Sequence, residues 1–174
     1  MRLSAAVLLS LSLMSLPIGP ALANPEGQMV TLKADQIGEV FCLSRIGNDE
    51  ALISGILTDA LRTAIADAEA KDDAYAKQYP DEKPPLGDGI RWQSAPDYAP
   101  KCMVGLVTLM KADAKIELHY AFPDAPAADF VDTLILKKVD QPDFGVGFWR
   151  IDNVYYPDGT DLKSALVAAF EGTD

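Results

Sequence analysis

The apolar residues of this chain pass from a helical spacing to a strand spacing at Cys102. Before it, Ile37, Val40 and Phe41, then Leu52, Ile53, Ile56, Leu57, Ala60, Leu61, Ala64, Ile65 and Ala68, recur every three or four positions. That interval places side chains on one face of a helix. After it, Met103 to Met110 is an almost unbroken apolar run, and Ile116, Leu118, Tyr120 and Phe122 alternate with Lys115, Glu117, His119 and Ala121. That interval belongs to a strand with one buried face. Helices first and strands afterwards exclude a repeated strand-helix-strand unit. They predict an α+β fold, with N-terminal helices packed on one face of a curved four-stranded antiparallel sheet.

The elements follow from local signals. A short helix over 34–46 stops at Gly47-Asn48-Asp49, and Asn48 or Asp49 caps a second, longer helix that reaches the Glu69 to Gln78 stretch. Pro80, Pro84, Pro85, Gly87, Gly89, Pro96 and Pro100 then forbid regular structure. The resulting long loop, 79–101, is either a lid or a structural excursion, with Ile90 and Trp92 tucked against the core. Strands are predicted over 103–110, 115–122, 130–139 and 146–156, with Ala112-Asp113 joining the first pair and Asp140 to Phe144 turning the last. Thr160 or Asp161 caps a short C-terminal helix through Leu162, Leu166, Val167 and Phe170.

The N-terminus predicts export. Arg2, the apolar run Leu3 to Leu16, the break at Pro17 to Pro20 and the small residues around Ala21-Leu22-Ala23 are the parts of a secretory signal peptide in order. The run is shorter than the roughly 20 residues that span a bilayer, so cleavage after Ala23 is favoured over a retained anchor. The mature chain, 24–174, then has the size of one domain, no membrane span, and a periplasmic or secreted address. Cleavage removes one positive charge, Arg2, and takes the formal net charge from −11 to −12. So acidic a surface repels phosphate backbones and anionic headgroups, which argues against nucleic-acid and peripheral-membrane partners. In an oxidising compartment Cys42 and Cys102 predict a disulfide, the alternative being two separately buried thiols. Two distant cysteines and one histidine lack the spacing of a zinc site, so neither a metal nor another cofactor is expected.

Several strings resemble a known group. Ile56-Leu57-Thr58-Asp59-Ala60-Leu61-Arg62, Lys83 to Asp88, Cys102-Met103-Val104-Gly105 and Phe148-Trp149-Arg150-Ile151-Asp152-Asn153-Val154-Tyr155, in this element order, are similar to exported bacterial proteins of unknown function in the nuclear transport factor two-like superfamily. Gly89-Ile90-Arg91-Trp92 stands where those relatives tend to carry an acidic-aromatic motif. The resemblance implies a cone-shaped, cystatin-like α+β fold whose curled sheet and helices enclose a pocket, and it allows a homodimer through the open sheet face.

No phosphate loop and no common catalytic motif is present. Regular strands would put Asp132 with Phe130, Leu134 and Leu136, and Asp152 with Val146, Phe148 and Val154. Acids among apolar residues have raised pKa values and can act as general acid or base, although one bulge inverts either assignment. Carboxylates at strand ends also reach water or loop backbone, so both have a structural reading. His119 falls on the polar face. Arg150 could pair with Asp152 or Asp132, or bind a ligand. Trp149, Tyr155, Tyr156 and Tyr120 offer aromatic surface near one end of the sheet and Trp92 offers more from the loop, for a pocket, a partner or simply the core. The acidic run Asp67, Glu69, Asp72 and Asp73 reads as a solvated helix face. Two functions are compatible with this. The first is an exported domain that binds a small apolar molecule or a cell-envelope protein without catalysis. The second is a small isomerase, dehydratase or hydrolase that uses one of the two aspartates.

Overall fold

A computed structural model of the chain describes residues 31–141 and 146–172. The predicted signal peptide and most of the Asp140 to Phe144 turn lie outside these residues. Helix α1 (Ala34–Gly47) is followed by a single turn, α2 (Ala51–Ser54), and by the long α3 (Asp59–Gln78). Strands β1 (Lys101–Leu109), β2 (Asp113–Ala121), β3 (Phe130–Gln141) and β4 (Val146–Tyr155) then form one antiparallel sheet in sequential order, and α4 (Leu162–Ala168) closes the description. The fold is α+β, with an open sheet.

The predicted second helix is two helices. Its apolar spacing is continuous, but at Gly55 the chain leaves the helical path and Leu57 bridges Ile151 at the free edge of β4. Ile151 N–H donates to Ile56 O and Thr58 N–H donates to Ile151 O. Thr58 then restarts the helix, its hydroxyl accepting the Leu61 N–H at 3.2 Å in the usual N-cap manner. Residues spaced for a helix face bury equally well in this extended crossing, because Ile53, Leu57 and Leu61 all reach the same core.

Helix α1 lies across the inner sheet face. A Cβ on Gly38 would stand 3.0 Å from Val104 Cγ2 and 3.1 Å from Ile116 Cγ2, so the absence of a side chain there permits the close approach. Ile37, Phe41, Ile116, Leu118, Leu134, Leu136, Ile151 and Val154 are buried in one cluster. Two bulges shape the sheet. In β1, Gly105 and Leu106 face the single residue Glu117, between the Val104–Leu118 and Val107–Ile116 pairs. In β4, Asp152 is the extra residue between the Ile135–Asn153 and Leu136–Ile151 pairs. His119 is on the polar face, as its alternation predicts, 3.0 Å from Glu117.

The loop predicted over 79–101 runs to Pro100, where β1 takes over at Lys101; it has no helix or strand, yet it is held along its length. Leu86 N–H donates to Asp72 Oδ1 at 2.8 Å, so this member of the acidic helix run has a docking role besides its charge. Ile90, Trp92 and Ala99 are buried in the core. At its exit Cys102 is disulfide-bonded to Cys42 on α1, with Cα atoms 5.2 Å apart and a sequence separation of 60. Closing a loop of that size stabilises a fold by about 4 kcal/mol in the chain-entropy treatment. We expect the C42S/C102S double variant to lose about that much in urea unfolding; a loss below about 1 kcal/mol would remove the disulfide as a structural determinant.

Candidate functional site

The cavity of interest lies between the C-terminal end of α1 and the inner side of the long loop. Its volume is about 530 Å³, and Arg45, Leu86, Ile90, Trp92, Ser94 and Tyr98 are among its walls. Such a volume lies within the range of small-molecule sites.

Arg45 is the unexpected wall. It occupies the buried face of α1, four residues after Phe41 and three after Cys42, and is only 2% exposed. The helix end fixes it. Asn48 caps α1 in the left-handed conformation with φ 47°, and Asp49 N–H donates to Ser44 O. The Ser44 hydroxyl donates to Asp49 O at 2.7 Å and accepts from Arg45 Nη2 at 2.8 Å. The guanidinium carbon lies 5.6 Å from the Phe41 ring centre and 5.4 Å from that of Trp92. Desolvation pushes the guanidinium pKa down, against the opposing influence of Glu50, Tyr120 and Tyr98. A desolvated cation-π contact contributes about 2 kcal/mol, whereas burying an ion costs several. Two such contacts and one hydrogen bond offset much of that cost, but they supply no counter-ion, and the Arg45 Nε–H has no partner among the described residues.

Four neighbouring side chains share that condition. Trp92 Nε1, Gln93 Oε1, Tyr120 OH and Asp132 Oδ1 are likewise buried without a hydrogen-bond partner. Trp92 packs edge-on against Phe41, with centroids 6.1 Å apart, and Tyr120 stacks on Phe130 at 4.5 Å. Asp132 is fully buried, opposite Leu118 and one diagonal step from Tyr120 in the register. Its Oδ2 accepts the Ser94 N–H at 2.9 Å, which fastens the loop to β3. Burial raises the Asp132 pKa, while the Ser94 hydrogen bonds and the charge of Arg91 draw it down. Burial and then the Asp132 charge push the Tyr120 phenol far above its ordinary value. Tyr156 joins the same group: its hydroxyl donates to Arg91 O, Arg91 lies over its ring at 4.8 Å, and burial raises its pKa. Trp92 and Arg45 line the cavity directly, whereas Asp132 and Tyr120 lie behind that wall.

The other predicted residues lie elsewhere. Trp149 pairs with Lys138, at the end of the sheet remote from Tyr120 and Phe130, so the four aromatics do not share one end. Tyr155 is 46% exposed. Arg150 lies 5.4 Å from the Phe148 ring centre and donates to Trp149 O; neither predicted aspartate pairs with it. Instead Asp152, shifted by its bulge, is paired with Lys137 at 3.2 Å and Lys163 at 2.9 Å and accepts from Thr58 Oγ1 at 2.9 Å. Burial acts to raise its pKa, but the hydrogen bonds from Lys163, Thr58 and Lys137 outweigh it and hold the carboxyl below the usual range. Asp152 thus ties β4 to α3 and α4. Among the described residues no cluster of potential metal ligands occurs, and no helix is long and apolar enough to cross a membrane.

The two aspartates predict opposite pH behaviour. A raised folded-state pKa favours folding at low pH and loses that contribution as pH rises through it; a lowered one contributes above the unfolded value and is lost as pH falls through the folded value. Urea unfolding should therefore show D132N more stable than wild type at pH 7, with the difference vanishing near pH 3. D152N should be less stable at pH 7 by about 2 kcal/mol, the worth of a hydrogen bond to a charged group, with the deficit shrinking in acid. Shifts of the same sign at pH 7 would contradict these assignments.

No family model matches the chain, and no curated protein or solved structure matches it, so the geometry of the cavity itself carries the functional argument.

Proposed function

We propose that this is an exported, non-catalytic domain that binds a small, largely apolar molecule in the cavity under the long loop. One observation carries the reading: the buried side chains of Arg45 and Trp92, each with an N–H that has no partner among the described residues, belong to the wall of a cavity of about 530 Å³ that combines the apolar Leu86, Ile90 and Tyr98 with the polar Asn48, Arg91 and Ser94. Apolar walls with a few convergent polar groups are the usual composition of a ligand site. The Cys42–Cys102 disulfide supports an oxidising destination, as a cleaved signal peptide would require, and periplasm is the address we assign. A cone-shaped, pocket-forming fold of the nuclear transport factor two-like kind would suit the same role.

Catalysis is the weaker reading. Asp132 has the raised pKa of a general acid or base, but the Ser94 backbone stands between it and the cavity. Asp152 is neutralised by two lysines. A partner-protein reading has its own support. Met103, Leu106 and Leu109, at 57%, 64% and 64% exposure, lie on β1, the sheet edge with no strand beyond it among the described residues. Such an edge can accept a strand from a second chain, including another copy of this one.

Native mass spectrometry of the protein purified from periplasm tests the ligand reading against A95W, which places an indole at Ala95, a loop residue of the cavity wall. A bound adduct in wild type that is missing from A95W is expected. An adduct equally abundant in both would place the ligand elsewhere.

A further inference from the structure

The walls of the cavity also specify the charge of its occupant. Building on the ligand-binding reading, we propose that the cavity takes a small amphiphilic carboxylate, its headgroup on the Arg45 guanidinium and its apolar body along Ile90 and Leu86. Arg45 is a buried cation whose one hydrogen bond among the described residues goes to a neutral hydroxyl, Ser44 Oγ. It forms no ion pair with any described carboxylate; Glu50 acts on it only through space. An arginine held inside a protein normally meets a planar anion through its fork of N–H donors.

The neighbouring groups point the same way. Arg45 belongs to the cavity wall and uses only Nη2 for a hydrogen bond among the described residues, to Ser44; the rest of its N–H fork suits the two acceptor oxygens of a carboxylate. Arg91 adds a second cation to the wall, whereas the wall's one acid, Asp88, is already paired with Lys83 at 3.1 Å. The cavity is therefore a cationic pocket in a chain of net charge −11. A neutral apolar molecule would leave the Arg45 charge without a counter-ion. A monoanion would supply that counter-ion, and the acidic exterior would oppose it less than a multiply charged phosphate.

Calorimetric titration of the disulfide-bonded protein with 4-phenylbutyrate and with 4-phenyl-1-butanol, which differ chiefly in the charged head, separates the possibilities. The carboxylate should bind at least tenfold more tightly. R45M should lose that preference while keeping the affinity for the alcohol, and R45K should restore part of it. Far-UV circular dichroism of R45M and R45K checks that both retain the fold, and R45K keeps the test open should R45M fail to fold. Equal affinity for acid and alcohol in wild type, or an unchanged preference in R45M, would overturn the carboxylate assignment and leave the ligand site standing. Binding of neither probe, together with no adduct on the periplasmic protein, would overturn both.

Discussion

One face of α1 sets the terms for the rest of the molecule. Phe41, Cys42 and Arg45 lie within a single turn and a half on its buried side, and each takes hold of a different part of the chain. Cys42 holds the exit of the long loop through Cys102. Phe41 and Arg45 hold its middle, both packing against Trp92. Gly38, one turn earlier, lets the helix sit close enough to β1 and β2 for this to happen. The loop is therefore a wall fastened at several points: to α3 through Asp72, to β3 through Asp132 and to the end of β4 through Tyr156.

That arrangement carries an energetic cost concentrated in one place. Buried polar groups usually find partners, and each one left without costs about 1 to 3 kcal/mol. Here five such side chains, on α1, the loop, β2 and β3, lie in the same region, while Asp152, buried at another part of the sheet, is fully engaged. The contrast separates a structural carboxylate from a site. A disulfide worth about 4 kcal/mol offsets part of that cost, and local conflicts of this kind concentrate where a protein works.

The fold class was legible because the two halves differ in period, and a side chain's period is a direct consequence of backbone geometry. The strand set, the buried Trp92 and Ile90 and the Asp161 cap could be read the same way. The break between α2 and α3 could not, since Ile53, Leu57 and Leu61 bury on one side whether the chain between them coils or extends. The Asp152 bulge was equally hidden, because a local insertion changes register without changing composition. Arg45 was in plain view. A charged residue that continues the stripe Ala34, Ile37, Phe41 on a helix is a signal for a buried ion, and its meaning emerged only when the loop brought Trp92 across it.

The environment of the Arg45 guanidinium is thus the centre of the account, and it can be observed without a ligand. In ¹⁵N-resolved NMR spectra at neutral pH, a side chain buried between Phe41 and Trp92 should give an Nε–H signal that exchanges slowly with water. Ring currents from the two aromatic faces should move that signal upfield of the exposed Arg62. An Arg45 signal that exchanges as fast as that of Arg62, at an unshifted position, would mean that the side chain points to solvent and that the loop does not close over it.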